Sequence, residues 1–84
     1  MSADEIVLTH GIQVTRSFGS FSAFNAYLNS DGTIEVKLSV HGDTDYLQWF
    51  RLGDTFPVSG QTWKIEDVEN ASEEDWVVYL VRVD

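Results

Sequence analysis

Thr33-Ile34-Glu35-Val36-Lys37-Leu38-Ser39-Val40-His41 is the stretch that decides the fold class. Ile34, Val36, Leu38 and Val40 alternate with Glu35, Lys37, Ser39 and His41, so an extended chain puts every apolar side chain on one face and every polar one on the other. A helix would scatter the same residues around its circumference. The preceding segment, residues 21–28, is ambiguous by itself, because Phe21, Phe24 and Leu28 also fit one face of a short helix. Hairpin register favours a strand. With Ser30, Asp31 and Gly32 as the loop, Leu28 faces Ile34, Ala26 faces Val36 and Phe24 faces Leu38, all apolar pairs. The other face then pairs Tyr27 with Glu35, Asn25 with Lys37 and Phe21 with His41. A shorter loop would bring Asn25 and Asn29 onto the core face.

Moving outward, Ile6 to Thr15 is strand-like, with Gly11 marking a bulge or bend. Gly42 to Thr44 turns the chain into a strand over Asp45 to Leu52, with Tyr46, Gln48, Phe50 and Leu52 on one face and Leu47, Trp49 and Arg51 on the other. Gly53-Asp54 ends it. Phe56 to Val58 is short, and Ser59-Gly60 is a tight hairpin turn that sets Phe56 opposite Trp63. Pro57 lacks a backbone donor and marks an edge. The final strand, Trp76 to Val83, is apolar on both faces, which places it centrally with cover on both sides. Six to seven short strands in 84 residues must curl to bury their faces. The expected fold is therefore one all-β domain, a small antiparallel β-barrel or a compact two-layer sandwich.

Composition agrees with a folded domain, since 43% of the residues are hydrophobic and 13% aromatic. Cysteine is absent, so the core carries the stability without disulfides. Residues 1–5 lack the basic start and apolar run of a secretion signal, and no apolar run reaches the ~20 residues that span a membrane; a cytoplasmic setting is expected. Five Lys and Arg against 14 Asp and Glu leave a formal charge of −9, which repels nucleic-acid phosphates. The charge is uneven. Glu66, Asp67, Glu69, Glu73, Glu74 and Asp75 bring six acids and no base into residues 66–75, so that segment alone carries −6 of the −9. Such a run is either a solvated loop that aids solubility or a docking surface for a basic partner.

Catalytic signals are sparse. The chain has no Gly-rich phosphate loop, no paired histidines at metal-ligand spacing and no nucleophile elbow. His10 and His41 read as strand-end residues, and either becomes a general base only if the fold sets it beside Asp, Ser or Tyr in a pocket. Asn29-Ser30-Asp31-Gly32 and Asp43-Thr44-Asp45 offer oxygen ligands without a closing bidentate Glu, and turn geometry explains both. Asn70-Ala71-Ser72 matches a glycosylation acceptor, which means little without a secretion signal. Phe21 and Tyr27, on the polar face of the expected hairpin, could join His41 and Trp49 around an opening for a small apolar ligand. Against that, barrels of few strands fill with their own side chains.

The wording of the C-terminal half is more specific. Arg51-Leu52-Gly53-Asp54-Thr55-Phe56-Pro57-Val58, Gly60-Gln61-Thr62-Trp63-Lys64, Val68-Glu69-Asn70, Asp75-Trp76 and Leu80-Val81-Arg82-Val83 together resemble a group of short, acidic, uncharacterised proteins of actinomycetes, a domain of unknown function. The resemblance is good over residues 51–84 and loose before them. It implies a source and an all-β fold, and it carries over no catalytic residue.

The expected function is a non-catalytic accessory or regulatory module that binds an unidentified basic protein through Glu66, Asp67, Glu69, Glu73, Glu74 and Asp75, with no cofactor, metal, nucleic acid or membrane. The alternative is a β-barrel that binds a small apolar ligand at Phe21, Tyr27, His41 and Trp49. A further alternative is mimicry of nucleic-acid charge, which requires a stripe of acids across one face. Catalysis ranks last.

Overall fold

The computed structural model describes residues 4–83; residues 1–3 of the acidic N-terminal segment, and Asp84, lie outside the described residues. Every regular element among the described residues is a strand: β1 Glu5–Thr9, β2 Gln13–Arg16, β3 Gly19–Leu28, β4 Ile34–His41, β5 Asp45–Arg51, β6 Thr55–Val58, β7 Gln61–Glu69 and β8 Val77–Arg82. No helix among the described residues is long and apolar enough to cross a membrane. The strands form two antiparallel sheets of four, ordered β1-β8-β7-β6 and β2-β3-β4-β5. This corrects the expectation of six to seven strands, and it replaces the barrel with two open layers. The extra strand arises at Gly11, whose φ of 79° lets the chain leave one sheet after β1 and enter the other at β2. A corner that changes layers, not a bulge within one strand, separates Leu8 from Val14.

The layers meet through a single apolar cluster. Ile6, Leu8, Trp63, Ile65, Val78 and Leu80 come from the first sheet; Phe21, Ala26, Val36, Leu38, Val40 and Phe50 come from the second. Rings join across the interface, with Phe21 and Phe18 lying 5.8 and 5.7 Å from Trp63, and Phe50 5.1 Å from Phe56. Each fully buried large side chain of this kind contributes about 1.5–3 kcal/mol relative to exposure.

The expected β3–β4 register holds over Leu28↔Ile34, Ala26↔Val36, Tyr27↔Glu35 and Asn25↔Lys37. It then slips at a bulge on Phe24. Ala23, not Phe24, faces Leu38, and Phe21 faces Val40 instead of His41. Strict alternation from Leu28 would have sent Ser22 and Ser20 inward and Phe21 outward; the extra residue restores the apolar phase. A matching bulge in β7 between Ile65 and Asp67 keeps Trp63, Ile65 and Val68 on the inner face and leaves Glu66 exposed. β8 is central, as expected, yet only its inner face is covered: Val78 and Leu80 are buried while Val77, Tyr79 and Val81 are half-buried on the outer face.

Phe56 faces Trp63 across the Ser59-Gly60 turn and Pro57 lies on edge strand β6, both as read from the residues, and both turn residues have positive φ. That turn ties one end of the molecule together. Ser59 Oγ donates to the Phe18 carbonyl at 2.8 Å, and the Ser59 N–H donates to Asp43 Oδ1 at 2.9 Å. Gly19 sits in the same junction, where a Cβ would come within 2.6 Å of the His41 carbonyl oxygen.

Candidate functional site

At the opposite end of β3 the sheet has a gap. β2 pairs with β3 only from Gly19 to Ser22, so the edge beyond it has no strand neighbour. The segment linking β7 to β8 fills that gap: the Ser72 N–H donates to the Ala26 carbonyl at 2.8 Å, and the Leu28 N–H donates to Ser72 Oγ at 2.8 Å. Asn70 and Ser72 reach this position with φ of 55° and 69°. Holding Ser72 there costs roughly 1 kcal/mol, repaid by two hydrogen bonds and by Ala71 packing on the core. The acidic run is thus an ordered piece of the fold. Only Glu73, Glu74 and Asp75 lie on the connection itself; Glu66, Asp67 and Glu69 belong to β7, and all six are exposed.

Several of these acids have defined partners. Glu69 accepts a hydrogen bond from the Tyr79 hydroxyl, which raises the Tyr79 pKa because the phenol proton is held by a carboxylate. Asp75 Oδ2 accepts from Asn70 Nδ2 at 3.4 Å. The ion pair of Arg82 with Asp4 and the contact of His41 with Asp45 lie elsewhere.

Between the acidic connection and β3 lies an open groove of about 480 Å³, lined by His10, Phe24, Tyr27, Glu73, Glu74 and Trp76. Phe24 and Tyr27 are half-exposed here, and Trp76 is buried at the base with His10 set edge-on to it at 5.8 Å. Phe24 reaches the groove because its bulge turns it out of the core. His10 and Phe24 also border a smaller cleft of about 240 Å³ with Ile12 and Ser22. Of these lining residues, Tyr27, Glu73 and Glu74 were singled out by the sequence as candidate contacts. Alternation puts Phe24 on the core face, His10 reads as a strand-end residue, and Trp76 reads as the start of the final strand. The phase slip between Phe21-Ala23 and Ala26-Leu28 is the signal that would have released Phe24.

The four aromatic and histidine candidates do not surround one opening. Phe21 is fully buried between the layers. Tyr27 stands on the outer face opposite Glu35, Trp49 opposite Lys37, and His41 opposite Asp45. His41 meets the partners a general base would need: Nε2 lies 3.2 Å from Ser39 Oγ and Nδ1 lies 3.4 Å from Asp45 Oδ1. The surroundings differ from an acyl-transfer site. Ser39 is on a strand with neighbours along both edges, so nearby N–H groups serve the ladders instead of an oxyanion, and neither cleft includes it. The remaining oxygen clusters serve turns: Asp31 Oδ1 accepts from the Thr33 hydroxyl and N–H at 2.7 and 3.1 Å, which holds its pKa below the ordinary carboxylate range.

No curated protein and no solved structure matches the chain. A family model described as a family of unknown function, DUF6406, matches residues 3–84, well beyond the 51–84 stretch on which the resemblance rests most firmly. With nearly its whole length covered by that match, the chain belongs to the family of unknown function DUF6406.

Proposed function

We propose that this domain is a non-catalytic accessory or regulatory module of the cytoplasm that binds a basic partner protein through the acidic β7–β8 hairpin. One observation supports the reading above the others: six exposed carboxylates are gathered on a hairpin whose connection is pinned by hydrogen bonds to β3. A pinned array of like charges is preorganised for an oppositely charged surface, which speeds encounter and fixes orientation. The acids also cluster on one hairpin more than they trace a stripe across a face, which favours a docking surface over mimicry of nucleic-acid charge.

The test uses a partner captured from the native host, purified, and titrated against the domain at several salt concentrations. Glu66→Gln, Asp67→Asn, Glu73→Gln, Glu74→Gln and Asp75→Asn combined should weaken the complex and flatten its salt dependence. Equal affinity and equal salt slope for the variant and the parent would reject the reading.

A further inference from the structure

The groove beside the acidic connection has a chemistry that the carboxylates alone lack. Phe24 and Tyr27 line it from β3 and are 55% and 50% exposed, Trp76 closes its base, and Glu73 and Glu74 line it from the connection. No Lys or Arg is among its lining residues. Aromatic faces carry negative quadrupole potential, and carboxylates next to them add full charge, so the site favours an organic cation with flat apolar surfaces. A hard metal ion is a poor match, since it needs six or more oxygen ligands and the groove sets its two carboxylates beside the apolar ring faces of Phe24, Tyr27 and Trp76. Addition of a peptide strand is also blocked, because Ser72 already occupies the Ala26 carbonyl and the Leu28 N–H. Recognition here goes through a side chain.

We propose that this groove receives an arginine side chain from the basic partner, with the guanidinium stacked on Phe24 and Tyr27 and its N–H groups directed at Glu73 and Glu74. Arginine fits better than lysine because its planar, weakly hydrated head stacks on rings and offers forked donors to carboxylates. The proposal rests on the acidic-surface reading above and specifies where on that surface the cation binds.

The test is a titration of the isotope-labelled full chain with a capped Gly-Arg-Gly peptide and its lysine and citrulline counterparts, followed by NMR at constant ionic strength. The arginine peptide should shift the amides of Phe24, Ser72 and Glu73 and the Trp76 indole N–H, and citrulline should bind roughly tenfold more weakly. Phe24→Ala with Tyr27→Ala keeps the net charge unchanged and should weaken arginine binding by roughly tenfold. Both residues are half-exposed, so the variant should keep a dispersed native spectrum. Arginine binding that this double variant leaves unaltered, with shifts confined to Glu66–Glu69, would overturn the groove and leave the acidic-surface reading standing. Absence of shifts with every cationic peptide would overturn both. Equal binding of lysine, or tighter binding of tetramethylammonium chloride, would overturn arginine as the occupant.

Discussion

Phe21 and Phe24 share a side chain and a strand, but Phe24 is the bulged residue and Phe21 keeps its place in the ladder, so Phe21 is at 0% and Phe24 at 55% exposure. Truncating Phe21 removes a ring that touches Trp63 and Phe18, so Phe21→Ala should cost about 3–5 kcal/mol in a denaturant titration. Phe24→Ala should stay within about 1 kcal/mol of the parent, and equal losses at both sites would mean the bulge is misplaced. Two hydrogen bonds make opposite pH signatures. Asp31 has its folded pKa lowered, chiefly by the Thr33 hydroxyl, so its contribution is present at neutral pH and lost as pH falls through the lowered folded value. The stability gap between the parent and Thr33→Val should accordingly shrink in acid. Tyr79 has its folded pKa raised, chiefly by Glu69, so its contribution is complete below the unfolded value near about 10 and lost as pH climbs through the folded one. Thermal melts of Tyr79→Phe against the parent should therefore converge in strong alkali, and a gap that widens there would contradict the bond. At Ser39, which lies outside both clefts on a strand paired along both edges, a fluorophosphonate probe should leave the hydroxyl unlabelled; labelling detected by mass spectrometry would reopen catalysis.

Among the elements, the β7–β8 connection joins stability to binding. Ser72 supplies both partners for the free edge of β3, so Ser72→Ala should cost about 1 kcal/mol and speed amide exchange at Leu28, while leaving β4 and β8 protected. Unchanged exchange at Leu28 would show that another group covers that edge. The same connection explains what was readable beforehand. Alternation in residues 33–41 made β4 unmistakable, and the turn residues Ser59-Gly60 set the β6–β7 register correctly. The bulges were harder to see. Each is a one-residue change of phase, from Phe21-Ala23 to Ala26-Leu28 and from Trp63-Ile65 to Val68, and an alternation template run through it places the large ring of Phe24 inside. The groove depends on that misread ring and on a loop docking 44 residues away in sequence, between Leu28 and Ser72, which no local pattern encodes.

At the scale of the whole molecule, −9 on a body with extents of 35 × 25 × 21 Å means that like charges repel across most of its width. Added salt shortens the screening length from about 30 Å at 0.01 M to about 8 Å at 0.15 M, so the melting temperature should rise by roughly a few degrees between these conditions. A fall would imply that attractive pairs dominate. The all-β class was legible because strand alternation and turn residues are local, whereas the choice between closed and open architecture depended on whether β1 and β2 were one strand or two. Gly11 settled that by turning a corner between sheets. The sheet order has a kinetic consequence as well. β2-β3-β4-β5 joins consecutive strands and can assemble from short-range hairpins, but β1 pairs with β8, Glu5 with Val81, and so must wait for almost the whole chain. The slow step of folding should be the docking of that first strand, and until it docks the inner faces of Ile6 and Leu8 are available to the wrong neighbour.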